Sequence, residues 1–172
     1  MVGDPFAFPE STRGVALSLL KGECDIAQAR DWARDLWQGG QEDDETAALA
    51  LIDDHEWIEA QRLLPRVAAL AGLTDTAVTA RWVERDLLST WLAGVFTAAD
   101  LVDAAYHVWV ALVERDIGAN FAIYNELGDL ADLNLGNWDL RALPEATVRE
   151  YVLSNLIEDG AFERAGLKPP EA

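Results

Sequence analysis

Ala98-Ala-Asp-Leu-Val-Asp-Ala-Ala-Tyr-His-Val-Trp-Val-Ala-Leu-Val-Glu-Arg115 is apolar nearly all round a helical period, through Leu101, Val102, Tyr106, Val108, Trp109, Val110, Leu112 and Val113. A helix of that kind must be covered by other helices, so the spacing predicts a central helix over about 98–115. Thr97 and Asp100 stand three apart at its start and read as a cap, and Gly94 ends whatever precedes it.

The same period continues on both sides. A first helix is expected from Thr12 to Lys21, stopped by Gly22. Asp25 and Gln28 read as a capping box opening a helix with Ile26, Ala29, Ala33, Leu36 and Trp37 on one face, closed by Gly39-Gly40. The acidic run Glu42, Asp43, Asp44, Glu45 suits a helix start, where negative charge meets the positive end of the dipole. Asp53 and Glu56 read as another box, before Trp57, Ala60, Leu64 and Val67, with Pro65 expected to kink or restart that helix. A long helix over about 75–93 buries Val83, Leu87 and Trp91, and a last one follows Pro144 with Val148, Tyr151, Val152, Leu156 and Ile157. Phe121 to Leu127 reads as helical, and 128–139 as a turn.

Alternation with period two is missing over any useful length, so the fold class is all-α: a compact single-domain bundle of about six to eight helices. No long linker divides 1–172; residues 1–11 read as an irregular start and 166–172 as a loose tail. Ala48, Leu51, Trp57, Ala60 and Leu64 have the spacing of one tetratricopeptide-type hairpin, which leaves α-hairpin or superhelical packing open. One hairpin makes no array, and any tight helix pair needs small residues where it crosses.

The 172 residues carry 31 acids against 13 bases, a net charge of −18. The excess is the same in each half of the chain, −9 up to residue 86 and −9 after it, so it belongs to the body and not to a tail. Such a field disfavours nucleic acid and anionic membranes and favours basic proteins, or serves solubility alone. Seven Trp and 51% hydrophobic residues supply a core and exclude global disorder. Cys24 is the one cysteine, which fits a reducing compartment. The N-terminus has neither a basic nor an apolar signal region and the longest apolar run is half a membrane span, so a cytoplasmic protein is expected. Eleven Arg to two Lys with abundant Ala is the usage of a GC-rich bacterial genome.

Few residues carry chemistry. His107 has Asp103 one turn before it and Asp100 two turns before, an arrangement that can orient a base; a core histidine held by Asp103 or a carbonyl is the simpler reading. Asp53, Asp54, His55 and Glu56 are ligand types within one turn, and also an ordinary helix start. Asp129, Asp132, Asn134, Asn137 and Asp139 lack the spacing of a twelve-residue calcium loop. Cys24, beside the cap at Asp25, sits where a helix dipole can lower a thiol pKa, but with no base near it in sequence a structural or incidental cysteine is the simpler reading. No cofactor motif occurs.

The tryptophans exceed what such a core requires. Trp37, Trp91 and Trp109 match apolar faces; Trp32, Trp57, Trp82 and Trp138 lie beside charges or in a polar loop and are candidate anchors for a partner. With the acids Glu42, Asp43, Asp44 and Glu45, they point first to an interaction domain that binds a basic protein stoichiometrically, as an inhibitor, immunity-type protein or nucleic-acid mimic does. A metal-binding or hydrolytic helical enzyme using His107, Asp103 and Asp100 is the second reading, and a self-associating structural domain the third.

Overall fold

A computed structural model describes residue 9 and residues 11–114 and 140–170. The expected helix at 121–127, the loop at 128–139 with Trp138, and the first eight residues lie outside them. The protein is all-α: the described residues form eight α-helices and one 3-10 turn (Leu140–Ala142), with no strand among them. The chain divides into two compact units, 1–80 and 81–172.

The first unit holds α1 (Thr12–Lys21), α2 (Ile26–Gln38), α3 (Asp44–Ala50) and α4 (Trp57–Leu70). Each helix stops or starts on a local signal. Gly22 takes φ 70° and closes α1, and its N–H donates to the Leu19 carbonyl. Asp25 accepts from the Gln28 N–H at 3.0 Å to open α2, while the Gln28 side chain lies over Gly14, where a Cβ would come within 2.8 Å of its oxygen. The box expected at Asp53 does not cap α4: Glu56 is the N-cap and regular helix begins at Trp57, while the Glu56 carboxylate accepts the Asp53 N–H at 3.0 Å and closes the turn before the helix. α4 continues through Pro65 without restarting; Pro65 and Gln61, whose carbonyl loses a donor, are both on the exposed side.

α1 packs on α2, and α2 packs on both α3 and α4. The core comprises Val15, Ala16, Leu20, Ala29, Trp32, Ala33, Leu49, Ala60, Leu63, Leu64 and Val67. Trp32 is fully buried and its indole Nε1 donates to the Thr12 hydroxyl at 2.9 Å, so the one polar atom of the largest core side chain is satisfied. Of the hairpin positions, Ala60 and Leu64 are buried but Ala48, Leu51 and Trp57 are exposed, which is not the packing of a tetratricopeptide crossing.

α5 (Thr76–Leu92) starts on Asp75, which accepts from the Val78 N–H at 2.8 Å. The second unit adds α6 (Ala98–Glu114), α7 (Glu145–Glu158) and α8 (Ala161–Arg164). A complete capping box opens α6: the Asp100 N–H donates to the Thr97 hydroxyl oxygen at 3.1 Å, and the Thr97 N–H donates back to Asp100 at the same distance. The neighbouring Ala98 N–H donates to Glu145 of α7 at 2.8 Å. Leu101, Val102, Ala105 and Val108 of α6 and Val148, Val152 and Leu156 of α7 are buried, and the two helices pack together. Among the α6 side chains up to residue 110, Asp103 and His107 are the exposed ones and lie one turn apart. Trp91 is buried, with the Arg149 guanidinium 4.8 Å from its ring centroid. No helix of the described residues is long and apolar enough to cross a membrane.

Candidate functional site

α3 is seven residues long, too short to hold itself in water. It is fixed at both ends by side chains. At its N-terminus Asp43 accepts the Thr46 N–H at 2.8 Å and the Thr46 hydroxyl at 2.7 Å, and Gln41 donates to that hydroxyl. Burial pulls the Asp43 carboxyl upward, but the bonds from Thr46 outweigh it and hold the pKa below the usual carboxylate value. At the C-terminus, where helix carbonyls have no partner of their own, two arginines of α2 supply donors. Arg34 Nε donates to the Ala50 carbonyl at 3.1 Å, and Arg30 donates to the Ile52 carbonyl at 3.3 Å and to Asp54 at 2.5 Å.

Between the arginine clamp and the cap, α3 presents alanines. Their short side chains leave an open cavity of about 340 Å³ against α2, lined by Arg34, Trp37, Gln38, Ala47, Ala50 and Leu51. Its two large apolar walls are solvent-exposed, Trp37 at 40% and Leu51 at 83%. Acids neighbour its lining along the chain: Asp35 is one helical turn before Gln38 on α2, Asp44 one turn before Ala47 on α3, and Glu42 lies in the connection. Asp31 pairs with Arg34, and Glu45 stands 3.9 Å from Arg66. Asp35 accepts the Ser11 hydroxyl at 2.5 Å, and among the described residues Asp35, Glu42 and Asp44 have no cationic partner.

The tryptophans distribute differently from the sequence expectation. Trp32 and Trp82, expected as surface anchors, are buried, and Trp37, expected in the core, is exposed. Trp57 is exposed with its neighbour Ile58 at the start of α4. On a helix of 3.6 residues per turn, including Trp32 in the buried stripe of Ala29, Ala33 and Leu36 pulls the stripe's centre away from Trp37, about 80° round from Ala29. That shift was the available signal for an exposed Trp37.

The titratable clusters are open surface. His107 is exposed rather than in the core; its Nε2 is 3.9 Å from Asp103, beyond hydrogen-bond reach. Arg141 stands 3.4 Å from Asp100 and 3.7 Å from Asp103. The Asp100 carboxyl is held below the usual range first by the Thr97 hydroxyl and backbone, then by Arg141, so it is engaged in capping. In the 53–56 turn, Asp54 is taken by Arg30 and Glu56 by a backbone N–H, while His55 is exposed. No group of three or more His, Cys, Asp and Glu among the described residues is placed to hold a metal ion. Burial and then Asp25 push the Cys24 thiol pKa up, against the direction expected from the helix dipole.

One buried acid escaped the sequence reading. Glu84 on α5 is 2% exposed, and its Oε1 has no hydrogen-bond partner. Arg164 of α8 lies 3.6 Å away and is itself bonded to Asp159 at 2.5 Å. Burial pushes the Glu84 pKa to about 7, against the lowering effect of Arg164.

No protein-family model, curated protein or solved structure matches the chain.

Proposed function

We propose that this protein is an acidic interaction domain that binds a basic protein partner through the α2–α3 face. The supporting observation is the exposed Trp37–Leu51 groove, a paired apolar surface flanked by acids, on a chain of net charge −18. Tryptophan on an exposed face supplies large contact area at small entropic cost and is the residue type that dominates binding hot spots. The surrounding charge of one sign speeds encounter with a cation-rich surface and rejects anionic ones.

The residues 1–80 alone carry 15 acids against six bases, so the unit that bears the groove is as acidic as the rest. The hydrolytic reading has weaker support, because His107 and Asp103 are exposed and 3.9 Å apart. The test is affinity capture with the immobilised chain at about 50 mM and about 500 mM salt, concentrations on either side of physiological screening. The expected outcome is one basic protein in stoichiometric amount at low salt, lost at high salt and lost with Leu51→Asp. Recovery of only acidic proteins, or of none, contradicts the proposal.

A further inference from the structure

Resting on that reading, we infer that the groove takes a single bulky apolar side chain presented on a Lys/Arg-rich segment, and that a uniformly basic surface without such an anchor is a poor partner. The cavity of about 340 Å³ is at the small end of binding pockets, and its floor is Ala47 and Ala50. Trp37 on α2 and Leu51, the residue just past the end of α3, both line the groove and are exposed, so a side chain entering it can remove both from water in one step.

The charges around it select what may flank that side chain. Arg34 is the cation in the lining, and it is spent on the Ala50 carbonyl and on Asp31. Glu42 in the connection and Asp44 at the start of α3 carry charge without a cationic partner among the described residues, and Asp35 on α2, which accepts the Ser11 hydroxyl, adds a third negative charge. An incoming segment therefore meets an apolar slot on two elements that carry these acids within a helical turn of its lining, which matches a bulky apolar residue accompanied by cations. A flat cationic surface satisfies the carboxylates and leaves Trp37 and Leu51 wet.

The full chain is titrated with three fluorescent 14-residue peptides at low salt: alternating Lys/Leu blocks, the same with Ser for Leu, and the same with Glu for Lys. The inference predicts that the Lys/Leu peptide binds at least about tenfold more tightly than Lys/Ser, the size expected for one hot-spot anchor. Leu51→Asp removes that advantage, and Leu70→Ser, an exposed leucine outside the groove, keeps it. Leu51 is so exposed that its substitution leaves the core untouched, and helicity by circular dichroism checks this; Trp37→Ala is the second variant. Equal binding of Lys/Leu and Lys/Ser, unchanged by Leu51→Asp, overturns the anchor and leaves the basic-partner reading standing. Equal binding of Glu/Leu and Lys/Leu overturns the cationic part. Failure of both basic peptides to bind overturns the inference together with the reading beneath it. A Leu51-dependent dimer in sedimentation overturns it too, since the occupant is then a second copy.

Discussion

Arg34 Nε donates to the carbonyl oxygen of Ala50 at 3.1 Å, so a side chain of α2 completes the end of a helix that is too short to stand alone. The groove exists because that bond, with the Asp43 cap at the other end, fixes a run of alanines opposite Trp37. Removing the donor should loosen both the helix and the site. Arg34→Ala is expected to cost about 1 kcal/mol, the net worth of one such hydrogen bond at a half-exposed position, measured by urea denaturation. It should also weaken Lys/Leu peptide binding; full stability with full binding contradicts the clamp.

The Trp32–Thr12 bond is in the core, where loss of one partner strands the other. Thr12→Val, which keeps the shape, is expected to destabilise by about 1–3 kcal/mol because the indole N–H is then buried without an acceptor. Thr12→Ser should recover most of that loss in the same denaturation experiment. If Val and Ser variants are equally stable, the bond contributes nothing.

Glu84 makes stability depend on pH with a definite sign. Its folded pKa is raised from 4.5 to about 7, so between those values the folded state holds a proton that the unfolded state has released. Stability therefore falls as pH rises from about 4.5 to about 7 and this contribution is flat above. Glu84→Gln should be more stable than the parent at pH 8, with the gain shrinking steadily toward pH 4.5 in thermal melts. A difference that does not change with pH contradicts the buried-acid account.

Asp100 behaves in the opposite sense. Its pKa is depressed by Thr97 and Arg141, so its contribution is present above the ordinary carboxylate pKa and is lost as pH falls through the folded value. Asp100→Ala is expected to cost about 1 kcal/mol at pH 7, as loss of a helix cap does. His107→Ala, on the exposed strip of the same helix, should change stability by less than about 0.5 kcal/mol. A large loss at His107 would show a core role that its exposure does not support.

What was legible in the sequence is what is local. The caps at Asp25 and Thr97–Asp100 each join residues three apart, so the spacing alone carries them, and the stops at Gly22 and Gly94 need only a backbone that tolerates positive φ. The Asp53–Glu56 pair has the spacing of a box, but the helix starts one turn later than that spacing suggests: Glu56 itself is the N-cap, and the pair closes the preceding turn instead. What failed was the assignment of faces. Charged neighbours put Trp32 and Trp82 on the surface in the sequence reading, yet charges one residue away point to another side of the helix and say nothing about the tryptophan.

The groove was invisible for a different reason. Arg34 and Ala50 are 16 residues apart and Arg30 and Ile52 are 22 apart, and no spacing rule links an arginine to a carbonyl on another helix. Leu51 was assigned to a hairpin crossing by its period, but that period continues past the last helical residue, Ala50, and the chain turns away. Glu84 resembles any surface acid of α5 in sequence; its burial and the approach of Arg164 are properties of tertiary packing.

The central claim is that the α2–α3 groove receives a basic, apolar-anchored segment. Backbone and indole chemical-shift mapping of the full chain during titration with the Lys/Leu peptide tests it most directly. Shifts concentrated at Trp37, Ala47, Ala50 and Leu51, with smaller ones at Asp35 and Asp44, are the predicted result. Shifts confined to other exposed apolar positions, such as Tyr151 and Ile157 of α7, with none in the groove, would contradict it.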